Sequence, residues 1–367
     1  MNKAARKRIA AIVTEYRFNS HAEVIVGRLL AAFDYIPQVE VAALYTDQVP
    51  DNDMSREAAA RYGIPIYKTI REAIRAEQSG GPVDGVVIIG EHGNYPTNSK
   101  GQIEYPRRRF MEETLAALDE LSLVVPIFSD KHLAYRYTDA VWMYEQLKRR
   151  NIPFFGGSSI PHTDHEPPFD RRRLQTLQEI VVISSGGLEC YGFHAMEVLQ
   201  SLVEQRDGAE SGLRSIQLIE GAGGAAWEAM DRGEWSEELM LQALHSFPGL
   251  PEAHPRELEP EPALFLLEYL DGTKGAIIQF KRLVEQWGFA FRNKEQQIFA
   301  ARCLSGEERP FHHFERLTRM IEAFLITGIQ PFRMERTLLT TGMICAAMDS
   351  LHEGRRLETP ELHISYR

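Results

Sequence analysis

The stretch Leu123-Val124-Val125-Pro126-Ile127-Phe128-Ser129-Asp130-Lys131-His132 reads as a buried strand, Leu123–Phe128, running directly into a carboxylate, an amine and an imidazole. A helical pattern begins soon afterwards, near Thr138. In an open α/β sheet, ligands sit outside the carboxyl ends of the strands, so Asp130, Lys131 and His132 stand where chemistry would occur.

Working outward, strand patterns recur at Ile9–Thr14, Glu40–Tyr45, Ile64–Tyr67, Val86–Ile89 and Pro153–Phe155. Between them lie amphipathic segments. Ala22, Ile25, Leu29, Leu30 and Phe33 share one helical face, Thr69-x-x-Glu72 is a capping box, and Gly63 closes a helix over Ser55–Tyr62. This alternation predicts βαβ units and a Rossmann-like parallel sheet over residues 1–160. Pro161, Pro167 and Pro168 then mark a boundary, and the rhythm changes over 161–367. Strands are expected at Gln178–Ser184 and Leu213–Glu220, a helix at Tyr191–Glu204, and a hairpin from Ala263–Tyr269 and Gly275–Phe280 around Asp271-Gly272. The second part is thus α+β on a largely antiparallel sheet. Ala225–Ser246 reads as a helical insert, Pro248–Pro262 as an irregular loop, and Phe314–Phe324 and Glu335–Glu353 as helices that pack back on the first domain.

Composition narrows the function. The chain has 367 residues, 44% hydrophobic and 25% charged, as in ordinary globular proteins. A formal charge of -11 argues against nucleic acid as a partner, because phosphate binding needs a basic surface. Three separated cysteines, Cys190, Cys303 and Cys345, fit a reducing compartment. The apolar run Ile9–Thr14 is too short for a signal segment, so the expected location is cytoplasmic and no membrane is expected.

Other candidates follow strand ends. His21, His92, His132 and the run His162-Thr163-Asp164-His165-Glu166 supply imidazole and carboxylate; with His194, the first three are the candidate ligands for a divalent metal, although no local zinc spacing is present. Gly90-Glu91-His92-Gly93-Asn94-Tyr95-Pro96 has glycines that let backbone approach a ligand. Arg107-Arg108-Arg109 opens a helix and offers bidentate donors or, alternatively, a solvated face. Cys190 lies four residues before His194, as a thiolate partner or a small buried thiol, and Trp227, Trp235 and Trp287 stack on sugars or pack in a core.

Four stretches resemble the glucose-fructose oxidoreductase and inositol dehydrogenase family (Gfo/Idh/MocA): Glu57–Pro65, Val83–Ile89, Lys131 ahead of Asn151-Ile152-Pro153-Phe154-Phe155-Gly156, and Gly186-Gly187-Leu188-Glu189-Cys190-Tyr191-Gly192-Phe193-His194. The resemblance implies an NAD(P)-dependent oxidoreductase acting on a sugar or polyol, with Lys131 and His194 handling protons and Asp130 and Glu189 beside them. It implies cofactor contacts from Thr14, Arg17, Asp47, Gly90 and Glu91, and substrate contacts from His92, Tyr95, Arg107 and His132. It also implies a homo-oligomer paired through the second sheet. Three departures stand against the pattern. Cys190 occupies the place of an aspartate, Lys131 lies between Asp130 and His132, and the first turn, Thr14-Glu15-Tyr16-Arg17-Phe18-Asn19-Ser20-His21, has no glycine. A dinucleotide fingerprint needs glycines there for the tight turn and the approach of pyrophosphate. Two further readings therefore remain: a metal-assisted lyase, isomerase or hydrolase without nicotinamide, and a non-catalytic ligand-binding protein.

Overall fold

The computed structural model describes residues 6–306 and 308–367. They form two compact units, one of 6–96, 103–157 and 306–338, the other of 97–102, 158–305 and 339–367.

The first unit holds strands β1 (Arg8–Val13), β2 (Glu40–Thr46), β3 (Ile66–Tyr67), β4 (Gly85–Ile89), β5 (Ile127–Asp130) and β6 (Phe154–Gly157). All neighbours pair in parallel, in the order β3-β2-β1-β4-β5-β6. Helices α1 (His21–Leu29), α2 (Ser55–Tyr62), α3 (Ile70–Arg75), α4 (Arg107–Leu121) and α5 (Tyr137–Arg149) make the crossovers. Strand order reverses between β1 and β4, which puts the ligand crevice of such a sheet at their carboxyl ends. The expected strand Leu123–Phe128 is shifted: β5 starts at Ile127, because Pro126 has no N–H for a ladder and Val124 is 59% exposed. Ser129 and Asp130 thus end the strand, and Lys131 is the first residue beyond it.

Local signals are present where the sequence places them. Gly63 takes a left-handed φ of 68° after α2. Thr69 accepts from the Glu72 N–H while the Glu72 side chain caps the Thr69 N–H, a complete capping box on α3. Thr69→Ala is expected to cost about 1 kcal/mol, read from the urea midpoint, with Thr69→Ser close to wild type.

The second unit carries β7 (His165–Glu166), β8 (Leu177–Ser185), α6 (Cys190–Val203), β9 (Leu213–Ile219), α7 (Ala225–Asp231), α8 (Glu237–Leu244), α9 (Pro255–Leu258), β10 (Ala263–Tyr269), β11 (Lys274–Phe280), β12 (Gly288–Asn293) and β13 (Ile298–Cys303). After them come α10 (His312–Thr327), which packs in the first unit against Ile25 and Leu29 of α1, then α11 (Met334–Glu353) and β14 (Leu357–Glu358). The sheet order is β14-β9-β10-β11-β8-β12-β13-β7, antiparallel except for β11 beside β8. Strands β12 and β13 have no counterpart in the sequence reading. Their turn runs through Lys294–Gln297 without glycine or proline, using Gln296 at φ 60°.

Helices of the unit pack on each face of this sheet. Val181, Ile183, Leu264, Leu266, Ile278 and Ala290 pack under Trp227, Trp235, Leu239 and Met240 of the insert. On the other face a Cβ added to Gly275 would lie 2.9 Å from Leu199 of α6. Among the described residues no helix is long and apolar enough to cross a membrane.

Candidate active site

The turns that leave β1, β4 and β5 meet at one end of the parallel sheet, and each contains a non-glycine residue with positive φ: Asn19 (62°), His92 (70°) and Lys131 (62°). Asparagine tolerates this conformation; histidine and lysine adopt it at a cost of roughly 1–3 kcal/mol, which surrounding contacts must offset. Strain of this kind gathers at functional sites.

Those contacts form a buried ionic network. Glu91, 3% exposed, accepts from Lys131 Nζ at 3.1 Å through Oε1 and from Arg107 Nη2 through Oε2. Lys131 and Arg107 are themselves buried. Burial alone would raise the Glu91 carboxyl, but the charges of Lys131 and Arg107 outweigh it and hold it well below the usual carboxylate range. Gly90 makes room for this arrangement, since a Cβ there would lie 2.7 Å from Arg107 Cγ. Arg107 Nη1 also donates to His132 Nε2 at 3.0 Å. Burial and then the Arg107 charge push the His132 imidazole well down, so it is neutral.

A second set of contacts adjoins the first. His21, the first residue of α1, meets Asp130 Oδ2 through Nδ1 at 2.6 Å, and its ring lies 5.2 Å from that of His92. Arg17 donates to Glu15 at 2.5 Å and approaches His92 Nδ1 at 3.3 Å. Arginine only donates, so Nδ1 of His92 accepts and the proton belongs on Nε2. That Nε2 is buried and has no hydrogen-bond partner among the described residues. Burial, followed by the charge of neighbouring His21, pushes His92 down to about 3. The site therefore offers a carboxylate bridging two cations, an Asp–His pair and a neutral imidazole with an N–H to donate.

The depressed histidines set a pH dependence. Each binds its proton more readily unfolded, near pH 6.5, than folded, so stability is full above about pH 7 and falls as pH drops through the unfolded value. His92 alone is expected to cost about 2 kcal/mol by pH 5, with His132 acting in the same direction. Urea unfolding between about pH 7.5 and pH 5 should show this slope, and His92→Gln should flatten it.

The residues that a dinucleotide would use do not fit that ligand. In the β1–α1 turn the backbone N–H groups of Arg17 and Glu23 donate to Ser20 Oγ at 3.2 and 3.1 Å, and that of Asn19 donates to the Glu23 carboxylate at 2.9 Å. Glu23 is buried and pairs with Arg309. Tyr16 stands where a glycine would allow close approach, and its ring is built into the core. Thr14 is buried and donates to the Glu91 carbonyl at 2.6 Å. Asp47, beyond β2, accepts from Tyr45 at 2.7 Å, Tyr95 at 2.8 Å and Arg109 at 2.5 Å, so both of its oxygens are engaged.

In the second unit His194 lies on α6, its Nδ1 2.6 Å from Ser158 Oγ, while the Ser158 N–H donates to Glu197 at 3.2 Å. Glu189 precedes the helix, and its carbonyl accepts from Phe193 N. Sequence reading named His194 and Glu189 but not Ser158 as the partner of His194. It also missed the pairing of His21 with Asp130, since no local spacing links residues that far apart. The four metal candidates do not form one ligand set. Among the described residues, no group of three or more His, Cys, Asp and Glu is placed to hold a metal ion. Arginine donors engage the lone pairs of His92 and His132 that a metal would need.

No protein-family model matches the chain, and no curated protein matches it in sequence. Solved structures do resemble it. GenD2 from gentamicin A biosynthesis, in complex with NAD, aligns over 98% of this chain and 97% of its own at a TM-score of 0.64 and 13% identity. A probable dehydrogenase from Thermotoga maritima aligns over 97% and 99% at 0.61 and 13%. Myo-inositol 2-dehydrogenase from Lactobacillus plantarum aligns over 96% and 99% at 0.61 and 12%. At such identities the likeness concerns architecture, and it extends over both units. The chain has the fold of the Gfo/Idh/MocA inositol and sugar dehydrogenases.

Proposed function

We propose that the protein is an enzyme, a divergent relative of the Gfo/Idh/MocA oxidoreductases, acting at a hydroxyl-bearing or carbonyl carbon of a sugar or polyol. The observation that carries this reading is Lys131: a buried, left-handed lysine at the carboxyl end of β5, ion-paired through Glu91 to Arg107. A positioned amine of this kind takes or supplies a proton at a substrate oxygen. His92 Nε2–H is the matching donor for a hydroxyl or carbonyl oxygen. Within the second unit His194 is held by Ser158, and the resemblance implies a proton-handling role for it.

A second reading, nicotinamide-dependent oxidation, is favoured by the fold it shares with a protein solved with NAD. Thr14, Arg17, Asp47 and Glu91 would then have to exchange their present internal contacts for the cofactor. Turnover of myo-inositol, D-glucose and 2-keto-myo-inositol, each with and without NAD and NADP, tests both. Conversion of a member of this panel that is lost in Lys131→Met supports the enzyme reading. Absence of conversion under every condition, with no binding of any panel member, would overturn it.

A further inference from the structure

The β1–α1 turn is where a Rossmann-like sheet receives pyrophosphate, and here the N–H groups of Arg17, Asn19 and Glu23 are taken by side chains of the turn itself. Helix N-termini attract anions, and α1 has supplied its own: the Glu23 carboxylate takes the Asn19 N–H and is in turn covered by Arg309. A pyrophosphate arriving there would meet a carboxylate where open N–H groups are required. The ribose position fares no better, because the Asp47 oxygens already hold Tyr45, Tyr95 and Arg109. At the head of the same helix stands His21, bonded to Asp130. Asp130 can only accept when ionised, so it orients the imidazole through Nδ1–H and leaves Nε2 as the basic nitrogen.

We infer that this chain has exchanged the dinucleotide for proton chemistry: it acts redox-neutrally on a keto sugar or keto polyol, with His21 and Asp130 as the proton-transfer pair. This rests on the sugar or polyol reading above. His21 Nε2 takes the proton from the carbon beside the substrate carbonyl. The C–H electron pair becomes the C=C bond of an enolate, and the carbonyl π pair moves onto oxygen. Lys131 and Arg107 supply positive charge in the adjoining network. Return of the proton to the former carbonyl carbon, after transfer between the oxygens, completes an isomerisation. No electron leaves the substrate, so no acceptor is required.

The test pairs calorimetry with isotope exchange on the full chain. Titration with NAD+, NADH, NADP+ and NADPH is expected to give no saturable binding up to about 1 mM. In D2O, 2-keto-myo-inositol or D-fructose is expected to gain deuterium beside its carbonyl, at a rate that falls at least about tenfold in His21→Gln and in the isosteric Asp130→Asn. Saturable binding of any nicotinamide tighter than about 1 mM overturns the inference while leaving the sugar reading in place. Exchange that both variants leave unchanged also overturns it. If neither ketone binds nor exchanges while the nucleotides stay silent, the proton-transfer role fails together with the sugar reading, and only the exclusion of the dinucleotide survives.

Discussion

Glu91→Gln is expected to lower the unfolding free energy by about 3–5 kcal/mol, among the largest effects any single polar substitution in this chain should produce. The carboxylate is the shared counter-charge of two buried cations, Lys131 and Arg107, and a glutamine of the same shape would take that counter-charge away from both in low dielectric. Losing the charge costs more than losing the hydrogen bonds, because the desolvation of the cations is then offset far less. The loss should appear as a lower urea midpoint at constant slope. An exposed pair gives the contrast: Lys7→Ala, at the Lys7–Asp84 contact, should change stability by no more than about 1 kcal/mol. Equal effects at the two places would show that the Glu91 network is not the buried, coupled unit described. Because the depressed Glu91 carboxyl stays ionised below its unfolded value near pH 4, its contribution is full at neutral pH and fades only in strong acid, below the range where His92 and His132 act.

Lys131→Met is expected to separate stability from chemistry. Without the amine, Glu91 keeps Arg107 as its partner, so no buried charge is stranded and the loss of stability should be clearly smaller than in Glu91→Gln. Turnover, by contrast, should fall by about 10²–10⁴-fold, the usual worth of a positioned acid–base group. Lys131→Gly provides a second variant, since glycine takes a φ of 62° without strain and should fold readily while remaining as inactive. A Lys131→Met enzyme with turnover within about tenfold of wild type would remove Lys131 from the reaction.

Much of the fold was legible in the sequence, because its signals were local. The alternation of strands and helices, the Thr69–Glu72 capping box, the Gly63 cap and the Asp271-Gly272 hairpin are properties of short windows. The hairpin of β12 and β13 escaped notice because its turn is built on Gln296, a residue with no preference for left-handed backbone. The site was legible only as separate strand-end residues. Lys131, His92, Glu91 and Asp130 could be named from their places after strands. That Glu91 bridges Lys131 and Arg107, or that Asp130 holds His21, follows from the parallel stacking of β1, β4 and β5, which brings three distant turns to one sheet end. The glycine-free turn was visible as a departure. Its physical content, a carboxylate from Glu23 spent on the Asn19 N–H just ahead of its own helix, required the third dimension.

The central claim is that the turns after β1, β4 and β5 bind a sugar or polyol beside Lys131, His92 and His21. Histidine-ring NMR of the full chain, titrated with myo-inositol, 2-keto-myo-inositol and D-glucose, tests it most directly. The result expected is that at least one of the three shifts the ring signals assigned, by substitution, to His21 and His92, and that Lys131→Met weakens this binding. If none of them moves either ring at saturating concentration, or if the rings respond while Lys131→Met binds as tightly as wild type, the assignment of this site to sugar or polyol chemistry is contradicted.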